Sequence, residues 1–166
     1  MSDNILFSER QYFRQWWIWL IFIPLNLLFI FGVIKQLILG EPFGSKPAPD
    51  AVLIFSMILV MAITILFYFL CLETQIKSDG VYVRFFPFRR SFRFYSWDSI
   101  DQAFVRDYNP ISEYGGWGIR LGIFGSGKAL NVSGNKGLQL IFKNGAKLLI
   151  GTQKPDEISA VLPKLR

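Results

Sequence analysis

The chain has 166 residues and a formal net charge of +6; 52% of it is hydrophobic and 17% aromatic, with one cysteine and no histidine. The missing histidine excludes histidine general bases, Ser–His and Cys–His nucleophilic pairs and most zinc sites. The lone Cys71 excludes a disulfide framework within one chain and a four-cysteine metal centre. This length suits one soluble domain with a small membrane anchor.

Residues 1–15 read as a short polar cytoplasmic tail, with Ser8-Glu9-Arg10-Gln11 as a helix start and Arg14 just before the first apolar span. That span, 16–39, carries one charge, Lys35, near its far end, and Trp16, Trp17 and Trp19 suit an interfacial aromatic belt. It is too long for the apolar region of a cleaved signal peptide, and no small-x-small cleavage site follows. Pro24 and Asn26 interrupt it.

A Gly/Pro-rich connection, 40–50, turns the chain round into a second span, 51–72. This one runs about 22 residues without a charge, enough at 1.5 Å per residue to cross a hydrocarbon core of roughly 30 Å. Cys71 reads as a small apolar residue near its end rather than as a reactive or lipidated thiol. In a hairpin, Asn26 and Thr64 fall at similar depth, and polar side chains in lipid find partners across helices, so the two are expected to face each other. A transport site at Asn26 is the sharper alternative, but two helices enclose no pathway. Arg10 and Arg14 precede the first span and Lys77, Arg84, Arg89 and Arg90 follow the second, so the positive-inside rule puts both termini in the cytoplasm.

From residue 73 onward the charge count is fourteen Lys/Arg against eight Asp/Glu, so the whole excess belongs to a domain at 73–166. Its periodicity is two. Val81, Val83 and Phe85 alternate, as do Phe92 and Phe94, with Pro87 marking a turn between them. Trp117, Ile119 and Leu121 share a face, then Leu130 and Val132. Leu138, Leu140 and Phe142 lead into Asn144-Gly145, a two-residue hairpin signal, and Ala146, Leu148 and Ile150 lead away. Six or seven short strands in a row predict an antiparallel barrel or sandwich. Pro155 at a first helical position, followed by Asp156 and Glu157, opens a closing helix whose Ile158, Val161, Leu162 and Leu165 form one stripe able to plug a barrel end.

Strands followed by a capping helix suggest the pleckstrin-homology architecture, and particular stretches carry the likeness further. Tyr114-Gly115-Gly116-Trp117-Gly118-Ile119-Arg120, Ala129-Leu130-Asn131-Val132-Ser133-Gly134, Gly137-Leu138-Gln139-Leu140 and Leu149-Ile150-Gly151-Thr152-Gln153-Lys154-Pro155 resemble the bacterial pleckstrin-homology-like (bPH) membrane proteins. The stretch from Glu9 to Trp17 is similar to the amino-terminal part of that group. The resemblance implies an α+β membrane protein, a two-helix transmembrane hairpin followed by a PH-like antiparallel β-barrel or sandwich with a carboxy-terminal capping helix. It implies a bacterial inner membrane location and no established activity.

Few motifs carry chemistry. Gly122, Gly127 and Lys128 satisfy G-x-x-x-x-G-K, but Ala129 stands where a phosphate loop needs a hydroxyl, and a strand rather than a helix follows, so no nucleotide is expected. Asp98 and Asp101 read as turn and cap residues. Gly115, Gly116 and Gly118 permit a bulge around Trp117, which reads either as end packing or as a partner-facing anchor. The basic set Lys77, Arg84, Arg89, Arg90 and Arg93 is the strongest feature. Residues 72–77 span at most about 17 Å, so this set would meet anionic headgroups, each gaining about 1 kcal/mol, with Phe85, Phe86 and Phe88 dipping into the interface. Ordinary positive-inside topology with core phenylalanines explains the same residues. Asn131-Val132-Ser133 matches a glycosylation sequon that a cytoplasmic location makes irrelevant. The expectation is therefore a non-catalytic, membrane-anchored binding or scaffolding module, an accessory subunit of a larger membrane assembly, with no cofactor, metal or nucleic acid. The alternative is a protein that senses anionic lipid alone.

Overall fold

The computed structural model describes residues 5–122 and 125–165. The chain forms two compact units, and the first is discontinuous: residues 1–13 join 70–166, while 14–69 form the second. The expected boundaries are corrected at both ends. Ile5–Tyr12 is a strand (β1), not a helix start in a polar tail. The second apolar helix ends at Phe69, so that Cys71 and Leu72 belong to strand β2, Cys71–Lys77. β1 pairs antiparallel with β2 from Ile5↔Lys77 to Tyr12↔Cys71. The apolar hairpin is thus inserted between two neighbouring strands of one sheet.

The physical reason is in the burial of β1. Phe7, Glu9 and Gln11 point inward and are buried, while Ser8, Arg10 and Tyr12 are exposed. Two of the three inward residues are polar, which hides the period of two. Their partners come from the far end of the chain. Glu9 accepts from Thr152 Oγ1 at 2.6 Å and from the Gln153 amide at 2.8 Å, and Gln11 Nε2 donates to the Gly151 carbonyl at 2.6 Å.

Among the described residues the first unit holds two sheets and no closed barrel. Sheet 1 runs β1-β2-β3-β4, with β3 at Gly80–Phe86 and β4 at Arg93–Ser96. Sheet 2 runs β5-β8-β9-β7-β6. Its strands are β5 Ile100–Asp107, β6 Gly118–Leu121, β7 Lys128–Asn131, β8 Lys136–Phe142 and β9 Lys147–Gly151. The pairing is not antiparallel throughout, because β7 runs parallel to β9. The Asn144-Gly145 turn is one residue longer than expected: the Phe142 amide bonds the Ala146 carbonyl, and Gly145 takes a φ of 80° that favours glycine.

Leu72, Ile76, Val81 and Val83 of sheet 1 and Leu138, Leu140, Leu148 and Ile150 of sheet 2 are almost wholly buried. The closing helix α4, Pro155–Val161, packs on β1, β5 and β8 and buries Ile158. A second cluster, Tyr108, Tyr114, Ala129 and Leu149, lies under the short helix α3, Pro110–Tyr114. Asn109 caps α3 by accepting from the Ile111 and Ser112 amides.

The second unit is a helical hairpin. α1, Trp16–Val33, continues as a π-helical turn, Ile34–Ile38, and α2 is Asp50–Phe69. Both segments, Trp16–Ile38 and Asp50–Phe69, are long and apolar enough to cross a membrane. Phe22 stacks edge-on against Phe67 at 5.1 Å, and Trp19 against Tyr68 at 6.3 Å. The turn is closed by Gln36, whose amide donates to the Ala48 carbonyl at 2.8 Å and to Asp50 Oδ1 at 2.6 Å.

Candidate functional site

Strand register sorts the basic residues into three places. Tyr12, Cys71 and Phe86 form one row across sheet 1, so the connections to both apolar helices and the β3–β4 loop share one end of that sheet. Arg89 and Arg90 follow Phe86 in this loop, exposed beside Phe88, which is 63% exposed. Lys77 pairs with Ile5 and Gly80 at the opposite end, six residues along β2 or roughly 20 Å away. There its ammonium sits 4.7 Å from the Tyr82 ring centre. The basic set is therefore not one patch.

Arg84 is also set apart. It lies opposite Glu73, which lies opposite Arg10, on the outer face of sheet 1. Its guanidinium donates to both Glu73 oxygens, at 3.0 and 2.9 Å, and Arg10 approaches the same carboxylate at 3.5 Å. Arg84 also donates to the Arg90 carbonyl and stacks over Phe92. Its charge is paired with Glu73, and its bond to the Arg90 carbonyl ties it to the β3–β4 loop.

What the structure does gather lies between the inner faces of the two sheets. A cleft of about 430 Å³, within the usual range of small-molecule sites, opens between β3–β4 and β6–β7. Val83, Phe85, Leu130 and Leu148 make an apolar floor, and Ile119 and Leu121 extend it outward at 53% and 73% exposure. Arg89, Arg93 and Lys128 contribute cations, and among the described residues no carboxylate lines the cleft. Burial pushes the Tyr95 phenol up, opposed by the nearby Arg93 and Arg89 charges, and the Arg93 guanidinium lies 5.2 Å from the Tyr95 ring centre. Arg84 and Arg120 also border the cleft. Strand alternation turns their side chains outward, Arg120 donating to the Trp117 carbonyl at 2.9 Å. Sequence reasoning missed Lys128, which it met only inside the glycine motif, because β6 and β7 reach β3 through tertiary folding alone.

The remaining expected features fall as follows. Asn26 Nδ2 donates to Thr64 Oγ1 at 2.8 Å and to the Phe22 carbonyl, while Thr64 donates to the Val60 carbonyl. Trp117 is half-buried and donates from Nε1 to the Gly134 carbonyl. Within the glycine motif, Ile123 and Phe124 lie outside the described residues, and Lys128 begins a strand rather than facing a helix N-terminus. Asp98 stands in a single 3-10 turn capped by the Ser96 hydroxyl. Burial pushes the Cys71 thiol up, with Glu73 adding to the shift. Among the described residues no group of three or more His, Cys, Asp or Glu side chains is placed to hold a metal.

A nearby ion pair is structural in character. Arg106 donates to Glu113 at 2.7 Å, to Gln139 and to Tyr114, on the face of sheet 2 that α3 covers. The hydrogen bond from Arg106 holds the Glu113 carboxyl below its ordinary range.

Fold and site together define a class: an α+β chain in which two membrane-length apolar helices interrupt a two-sheet unit with a cationic, apolar cleft. The chain belongs to a family of unknown function, DUF6141, whose model matches residues 2–162. No curated protein matches the sequence.

Proposed function

We propose that the chain is a non-catalytic binding module of the PH-like type, anchored in the bacterial inner membrane by its α1–α2 hairpin with both termini cytoplasmic, and that it serves as an accessory or assembly subunit of a larger membrane complex. The observation that carries this reading is the double tether. Three residues separate β1 from α1, and one separates α2 from β2, so each connection spans at most about 10 Å. A unit held through two such links has little freedom to reach a distant substrate, and it suits docking beside a fixed membrane partner. The lack of histidine supports a non-catalytic role. The deciding experiment is extraction of the tagged full chain in mild detergent followed by native mass spectrometry. A protein companion of fixed stoichiometry is expected, and its consistent absence from gently solubilised membranes would overturn the subunit reading.

A second reading, a protein that senses anionic lipid on its own, is favoured by exposed Phe88, Arg89 and Arg90 at the end of sheet 1 from which both connections leave. It expects the purified full chain alone to sediment with anionic vesicles at low salt, and equal binding to neutral vesicles would end it.

A further inference from the structure

The cleft between the two sheets combines features that have no role in a fold held together by packing alone. An inner face normally closes over its apolar side chains. Here the open side of the sandwich leaves Ile119 and Leu121 largely exposed on β6, the edge strand of sheet 2. Beside this apolar strip stand Arg89, Arg93 and Lys128, none of which has a carboxylate partner among the described residues. The chain does neutralise cations where structure requires it, as Glu73 does for Arg84 and Glu113 for Arg106. Three cations left unmatched around an apolar floor are complementary to a molecule with an anionic head and a hydrocarbon tail.

From this complementarity we infer that the inter-sheet cleft is a binding site for one anionic phospholipid of the bilayer, with an acyl chain along Ile119, Leu121, Leu130 and Phe85 and the phosphate between Arg89, Arg93 and Lys128. The bilayer is the source because the Phe85–Arg89 side of the cleft lies at the end of sheet 1 from which both connections to the apolar helices leave. The inference rests on the membrane anchoring proposed above but not on the subunit reading. The phosphate needs no metal, since guanidinium groups donate directly to its oxygens. Tyr95 stacks on Phe142 at 5.3 Å and carries the Arg93 guanidinium over its ring, so that cation is oriented before the lipid arrives.

The test uses the full chain reconstituted in nanodiscs of phosphatidylglycerol and phosphatidylcholine, then transferred to detergent and weighed by native mass spectrometry. Wild type is expected to retain one phosphatidylglycerol and to prefer it at least tenfold over phosphatidylcholine. Arg93→Glu with Lys128→Glu should lose that preference. Lys143→Glu with Lys164→Glu, an equal charge change away from the cleft, should keep it. Leu130→Trp, which fills the floor without touching charge, should reduce retention, and thermal melting identifies any variant that fails to fold. Equal retention by the wild type and both the charge-reversed and Leu130→Trp proteins would overturn the inference, as would no lipid preference, or displacement of the phospholipid by oleate at equal concentration. Co-purifying protein is read separately in the same spectra, so the lipid site and the subunit reading fail independently.

Discussion

Because the hairpin interrupts sheet 1, residues 73–166 alone should not fold. Removing 1–72 strips β1 from β2 and with it Phe7, 4% exposed. Truncating a buried phenylalanine costs about 3–5 kcal/mol. The same cut leaves Thr152 and the Gln153 amide without Glu9, and hydrogen bonds to a charged group contribute about 1.5–3 kcal/mol each. Together the loss is on the order of 10 kcal/mol, comparable to the whole stability of an ordinary domain, about 5–15 kcal/mol. The remedy follows from the register. Tyr12 and Cys71 stand opposite each other at the end of the β1–β2 ladder, where paired Cα atoms lie about 5 Å apart. Joining Tyr12 to Cys71 through Asn-Gly replaces the hairpin with a two-residue turn. The joined protein should be soluble and unfold cooperatively in guanidinium, followed by circular dichroism. The 73–166 fragment should show neither property. Cooperative unfolding of that fragment at a midpoint equal to that of the joined protein would refute the reasoning.

Three further outcomes are expected. Thr64→Val with Asn26→Leu removes the interhelical hydrogen bond and should lower hairpin stability by roughly 0.6–1.7 kcal/mol, read by steric-trap or thermal unfolding of the full chain in detergent; no change would mean that the contact does not hold the two helices together there. Arg106 lowers the folded-state pKa of Glu113 below the ordinary 4.5, so its contribution is present above that value and is lost as pH falls through the folded-state pKa. The unfolding midpoints of wild type and Glu113→Gln should therefore differ at pH 7 and converge in acid, and a constant difference would refute the linkage. Cys71 is 3% exposed with its thiol pushed up by burial, so maleimide should label it slowly in the native protein and rapidly in denaturant; equal rates would show that β2 opens freely at its first residue.

The strongly periodic parts of the chain were legible and the long-range ones were not. Two long apolar runs announce two membrane-length helices, and Val81, Val83 and Phe85 announce β3, because each pattern is local in the chain. β1 was not legible, since Glu9 and Gln11 take inward positions that a local reading assigns to apolar side chains. What satisfies them lies more than 130 residues away at Gly151–Gln153. The sheet topology suffered in the same way. A run of alternating strands suggests antiparallel neighbours, yet β9 lies between β8 and β7, with β7 parallel to it, an order set by pairings between strands that are not consecutive in the chain. For the site, sequence gave weight to basic residues by their nearness to the second span, which grouped Lys77 and Arg84 with Arg89 and Arg93. Folding divides them, Arg84 to an ion pair with Glu73 and Lys77 to the far end of its strand, and brings in Lys128 from the other sheet.

The inserted hairpin gives this division a consequence. Sheet 1 is complete only when β1 and β2 meet, and the segment between them is the hairpin itself, so ordering the β1–β2 ladder requires the two helix ends that lead into it to come together. The Asn26–Thr64 hydrogen bond and the Gln36 clamp at the turn draw α1 and α2 together along their length. Loop-closure entropy for the 58 residues between Tyr12 and Cys71 would otherwise weigh against their pairing. Association of α1 with α2 therefore lowers the cost of assembling sheet 1, on which β3 and β4, and with them one wall of the cationic cleft, are ordered.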